Sequence, residues 1–173
     1  ASDVYKRQVY TRRTNDSDAV FADFNLSKGL GFEIHMDTDG VFSVRFDKSK
    51  LSTSSKKIPL YPLLHALGAS DPEIQAVWGN DIFKVNVAKS NLNEDIKKIV
   101  DQVIYPTKRT GNDIKDLREY FKGNTLNADT TRITLGKAYD VVTPKAMLDA
   151  SAKIIRVYNN KEDEDDLDSL LFK

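Results

Sequence analysis

The chain has 173 residues, of which 40% are hydrophobic and 30% charged, the balance of an ordinary folded domain or of two small ones. Twenty-six basic residues meet 26 acidic ones, so the net charge is zero; a globally basic nucleic-acid binder is excluded, while a local basic patch is not. There is no cysteine, which excludes disulfides, cysteine-ligated zinc, iron–sulfur clusters and thiol catalysis. The longest apolar runs are a handful of residues, far short of the ~20 that a helix needs to cross a bilayer.

Residues 1–28 are polar and weakly periodic. The opening Ala1–Gln8 looks like adaptor-derived sequence, and with no Met at its start and an acidic run at its end the chain looks cut at both ends. Arg12, Arg13, Asn15, Asp16 and Ser17 read as loop, while Val20, Phe21 and Phe24 are the first candidates for core contact. From Leu30 to Met36 the pattern alternates: Leu30, Phe32, Ile34 and Met36 fall on one face, and Gly31, Glu33 and His35 on the other. Asp37-Thr38-Asp39-Gly40 is turn chemistry, and Phe42, Val44 and Phe46 alternate after it, which predicts a β-hairpin.

Lys48–Lys57 is serine-rich and basic and reads as a loop. Ile58–Leu67 predicts a short helix closed by Gly68. Ser70-Asp71-Pro72-Glu73 predicts a capped helix start, with the helix ending near Gly79. Ile82, Val85 and Val87 fit either strand or helix. Ile96, Ile99, Val100, Val103 and Ile104 recur at helical spacing, with Asn93 as the expected cap and Pro106 as the stop. Asp113–Phe121 predicts another helix, and Thr143-Pro144 opens a last one that ends at Asn159-Asn160. The expected fold class is α+β: a β-hairpin or small antiparallel sheet followed by several short helices.

No P-loop, dinucleotide fingerprint, nucleophile elbow or H-E-x-x-H motif is present. Asp37-x-Asp39-Gly40 fails as a calcium loop, because placing Gly40 at the loop glycine puts Phe46 where a bidentate carboxylate is required. His35 and His65 are the only histidines, and neither has a second ligand near it in sequence. Two charged features remain. Arg45, Lys48, Lys50, Lys56 and Lys57 make a local basic stretch that could follow phosphates. Glu162–Asp168 is an acidic run, which composition alone makes a solvated segment.

Two segments in order resemble the β subunit of multisubunit DNA-directed RNA polymerase. The first runs Gly29-Leu30-Gly31-Phe32-Glu33-Ile34, Phe42-Ser43-Val44-Arg45-Phe46-Asp47-Lys48, Lys57-Ile58-Pro59 and His65-Ala66-Leu67-Gly68. It is similar to the family's G-x-W/F-x-E-F/I strand, F-V-R-I-D-R strand, K-L-P step and R-A-L-G helix end. The second, Ile154-Ile155-Arg156-Val157-Tyr158 followed by Asp165-Asp166-Leu167-Asp168, is similar to the family's helix and D-D-I-D-H-L-G-N-R. Asp129–Leu135 weakly resembles its G-R-x-x-x-N segment. The loosely kept motifs and short middle suggest a divergent, viral polymerase.

The resemblance implies a fragment of the lobe, residues 29–160, leading through 161–173 towards the fork region. It implies one wall of the DNA cleft, in contact with downstream DNA and the non-template strand, with β′-like and other polymerase subunits as partners. Leu167, Asp168 and Lys173 fall where the family lines a pocket for the non-template strand, though Ser169, Leu171 and Phe172 replace its His, Gly and Asn. Arg45 and Lys48 inherit a DNA-facing role. The segment carries no catalytic residue and no cofactor, because the family's magnesium is held by the β′ subunit. A cytoplasmic location, in a bacterium, an infected cell or a virion, follows from the same resemblance. Two other classes compete: a structural or protein-interaction domain, such as a virion component, and a metal-dependent nuclease built on Asp165, Asp166 and Asp168.

Overall fold

The computed structural model describes residues 6–14, 19–27, 31–47 and 56–166. Five strands form one antiparallel meander: β1 (Gln8–Arg13), β2 (Val20–Asn25), β3 (Phe32–Met36), β4 (Phe42–Phe46) and β5 (Lys57–Pro59), side by side in chain order. Seven α-helices follow: α1 (Leu60–Ala66), α2 (Asp71–Trp78), α3 (Asn80–Ala88), α4 (Leu92–Val103), α5 (Asp113–Lys122), α6 (Ala128–Leu135) and α7 (Pro144–Tyr158). The fold is α+β, as the sequence pattern implies.

The β3–β4 hairpin forms as its alternation dictates. Phe32, Ile34, Phe42, Val44 and Phe46 are buried on the inner face. The Asp37 carboxylate accepts from the Asp39 and Val41 amides at 2.8 and 3.0 Å, an Asx-type turn in which Gly40 takes φ +87°. Asp37 is therefore a turn residue, with its oxygens turned to its own backbone. Asn86 of α3, only 1% exposed, then fastens the turn: it accepts from the Phe42 amide at 2.8 Å and donates to the Gly40 carbonyl at 2.9 Å.

The inner face of the sheet and the helices share one core. Phe24, Phe32 and Phe46 join Phe121 of α5, and Phe42 stacks on Trp78 of α2 at 4.9 Å. The indole N–H of Trp78 donates to Ser151 of α7 at 2.8 Å, so this buried donor is satisfied. Helix α7 packs on β1, β2 and β3 and carries the stripe Ala146, Met147, Ala150, Lys153, Ile154 and Val157.

Several expectations are corrected. Arg12 and Arg13 lie in β1, not in a loop; Asn15, Asp16 and Ser17 lie outside the described residues. Strand β1 escapes the sequence pattern because both of its faces are covered. Val9 and Thr11 point inward, while Tyr10 and Arg12 pack over the outer face beside Phe21. Ile58 belongs to β5 rather than to a helix; Pro59 follows it and disfavours a helical conformation there. Helix α4 is capped by Asn91, whose side chain accepts from Glu94 at 3.3 Å, and not by Asn93, which lies in the first turn. Residues 128–135 form a helix with the Thr-rich sequence ADTTRITL, low in intrinsic propensity. It is held by the Asn127 cap, by Thr131, which accepts from the Tyr139 amide at 2.8 Å, and by packing on β1. The remaining cap expectations hold: Ser70 and Glu73 form a reciprocal capping box, and Thr143 caps α7.

Candidate nucleic-acid interface

The antiparallel register fixes which charges meet on the outer face of the sheet. Tyr10, Asp23, Glu33, Arg45 and Lys57 lie opposite one another across the five strands. Arg45 donates to Glu33 at 2.8 Å, and the same carboxylate oxygen lies 2.8 Å from the His35 ring nitrogen. His35 is buried, contrary to its expected outer-face exposure, because Phe21 of the neighbouring strand stacks on it at 5.4 Å. The Arg12 guanidinium lies over the Tyr10 and Phe21 rings at 5.3 and 5.6 Å.

This face divides its carboxyl groups into two states. The His35 ring bond, helped by Arg45, holds Glu33 below the usual carboxylate range against the effect of burial. Burial first, then the charges of Glu33 and Asp47, push Asp23 up from 3.8 to about 6, with Tyr10 and Arg12 opposing. Asp47 is also raised, mainly by burial. Because the folded-state value of Asp23 is raised, its stabilising contribution is present below pH 3.8 and is lost as pH rises through about 6. Asp23→Asn is therefore expected to raise the urea midpoint near neutral pH and to change little near pH 4. An equal effect at both pH values would contradict this account of the cluster.

A different arrangement lies at the β5 edge. Lys56, Lys57 and Ile58 face Lys98, Asp101 and Gln102 of α4 across a cavity of about 260 Å³. Asp101 is bonded to Arg109 at 2.9 Å, and Lys98 lies 3.9 Å from Asp95. Lys98 was not among the residues singled out by sequence. Its only signal is its place on the polar face of an amphipathic helix, which surface lysines share in general.

The acidic run folds back onto the opposite edge. Asp165 accepts from the Thr11 amide at 2.7 Å and returns its own amide to the Thr11 carbonyl at 2.8 Å. Its other oxygen lies 2.5 Å from Nζ of Lys153, a lysine 3% exposed on the buried stripe of α7. Lys153 also donates to the Thr134 carbonyl at 2.5 Å and lies 3.4 Å from Glu162, which bonds Arg156 at 2.8 Å. Arg13 reaches the Val157 carbonyl and Asn160. This part of the run is a strap along β1, not the solvated segment that composition suggests. Lys153 carried a signal that the pattern reading passed over: a charged residue on an apolar stripe needs a buried partner.

Of the residues expected to meet nucleic acid, only Arg45 lies within the described residues; Lys48, Leu167, Asp168 and Lys173 lie outside them. Asp165 is anchored at β1, three strands across the sheet from Arg45, roughly 14 Å at the usual strand spacing. The strap and the basic edge are thus two separate features. Both oxygens of Asp165 face N–H donors, which leaves the nuclease reading of Asp165, Asp166 and Asp168 without support from this carboxylate. Among the described residues no three His, Asp or Glu side chains converge as metal ligands, and no helix is long and apolar enough to cross a membrane. No protein-family model matches the chain, and comparison with curated proteins finds no match either.

Proposed function

We propose that this chain is a lobe-type domain of a multisubunit RNA polymerase β subunit, forming one wall of a DNA cleft. The observation that carries the reading is the contiguity of the resembling segments. They fall on β3, β4, β5 and α1 in turn, three strands paired edge to edge and the helix that follows directly. The second segment falls on α7 and the strap, and α7 packs against β3. Motifs spread over an unrelated fold have no reason to collect in one continuous body.

In this reading the domain acts by position. The sheet and its phenylalanine core give a rigid wall, and the basic side chains near β5 lie towards downstream DNA and the displaced strand. Leu167, Asp168 and Lys173 extend the contact to the non-template strand. An Asp there accepts from a base amino group, and a Lys holds a phosphate. The two-metal chemistry of nucleotidyl transfer belongs to the β′-like partner, which holds the magnesium. The reading predicts that the frame encoding Lys173 runs on into the rest of a β subunit, and the sequence of the parent gene tests it. A closed frame would favour the interaction-domain reading instead.

A further inference from the structure

The outer face of the sheet is a poor surface for phosphate. Its forward cation, Arg45, is engaged by Glu33 at 2.8 Å, and Asp23 and Asp47 stand in the same electrostatic neighbourhood. An approaching phosphodiester would meet more carboxyl groups than free cations there.

The β5 edge has the opposite character. Lys56 and Lys57 are exposed and have no partner among the described residues. Lys98 reaches the same cavity from α4, held only loosely by Asp95 at 3.9 Å. The acidic member of the rim, Asp101, is already neutralised by Arg109. The cavity of about 260 Å³ has the volume of about eight liquid waters, at roughly 30 Å³ each, enough for a phosphate group and its nearest solvent.

Lysines also occur on edge strands to discourage edge-to-edge pairing. That role needs only Lys56 and Lys57. It does not explain why a helix brings a third lysine to the same cavity.

We infer that this cavity is a docking site for the phosphodiester backbone of nucleic acid, with Lys56, Lys57 and Lys98 as its contacts. The inference rests on the polymerase reading for its ligand, and it moves the DNA contact from Arg45 to the β5–α4 edge. Arg45 becomes a positioning residue that holds Glu33 across from β5. The three lysines act as point charges, so the contact fixes position without reading sequence.

The test is a fluorescence-anisotropy titration of a short mixed-sequence DNA duplex over a salt series. Three proteins are compared: the wild-type chain, the K56Q/K57Q/K98Q variant, and a K122Q/K137Q/K145Q variant that loses the same charge at other cavities. Circular dichroism verifies that each is folded. The wild-type chain should bind weakly, with log K falling linearly against log salt. The K56Q/K57Q/K98Q variant should lose at least about tenfold in affinity at low salt, and its slope should flatten by about 2, at ~0.9 for each phosphate no longer neutralised. The other variant should stay within about twofold of wild type, since its charges do not touch the backbone. The inference is overturned if the first variant binds like wild type, if both variants lose affinity equally, or if wild type shows no salt-dependent binding. None of these results alters the parent gene, so the polymerase reading is tested separately by its reading frame.

Discussion

Asp165→Ala is expected to be among the most damaging single substitutions in the strap, although it lies only eight residues before the last residue of the chain, Lys173. Lys153 is 3% exposed and has three partners: the Thr134 carbonyl at 2.5 Å, Asp165 at 2.5 Å and Glu162 at 3.4 Å. Removing Asp165 leaves the ammonium buried with one carbonyl and a more distant carboxylate, and it takes the acceptor from the Thr11 amide. Breaking a buried ion pair from one side costs about 3–5 kcal/mol, and the remaining Glu162 places this case near the lower end, at about 2–3 kcal/mol. For a chain of this length that lowers the melting temperature by roughly 5–10 °C. Lys153→Met removes the buried charge itself and leaves Asp165 at an edge that water reaches, so its cost should be smaller. The double variant should recover part of the Asp165→Ala loss, a coupling that urea unfolding of the four proteins measures. Strict additivity would show that the pair does not interact in solution.

Phe32→Ala should cost about 3–5 kcal/mol, the range for deleting a buried aromatic side chain. Phe32 is fully buried at the centre of the aromatic cluster. Its ring lies 4.6 Å from Phe24, 5.6 Å from Phe46 and, edge-on, 5.9 Å from Phe121. The three neighbours come from β2, β4 and α5, so the cavity opens where sheet and helices join. Two of them are strand residues pinned by ladder hydrogen bonds, which limits how far the site can collapse. Phe83→Ala on α3 is the comparison: that ring is only partly buried at the rim, against Tyr61, and its loss should cost about half as much or less. Equal costs measured by urea unfolding would mean that the cluster is not the centre of the core.

How much of this was legible in the sequence depended on whether one side of an element faced water. The β3–β4 hairpin was legible because Glu33, Ser43 and Arg45 alternate with fully buried residues. Helices α4 and α7 were legible for the same reason at helical spacing, and α2 by its capping box. Strand β1 was not, because Tyr10 and Arg12 are packed over Phe21 and blur the alternation. Helix α6 was not, because its threonines favour other conformations and tertiary bonds such as that of Thr131 hold it. Asn86 gave no sign of its part: one polar residue among Ile82, Val85 and Val87 does not reveal that a distant turn will need its amide.

The site was less legible than the fold. Arg45 was singled out by resemblance, yet its charge is satisfied within its own sheet by Glu33, a pairing that only register reveals. Lys56 and Lys57 were visible as part of a basic stretch, but Lys98 lies 41 residues beyond Lys57, and only the packing of α4 on β5 brings it to them. The acidic run read as solvated because composition has no term for a buried lysine 12 residues upstream of Asp165.

The central claim is that this chain is one piece of a polymerase β subunit, and the most direct measurement is the nucleotide sequence of its parent gene on both sides. The account predicts an open frame that continues past Lys173 for several hundred further codons, through the fork region and the nucleotide-contacting residues of β. A stop codon after Lys173, with a start codon just upstream of Ala1, would contradict it and leave a small protein that shares at most ancestry with the polymerase lobe.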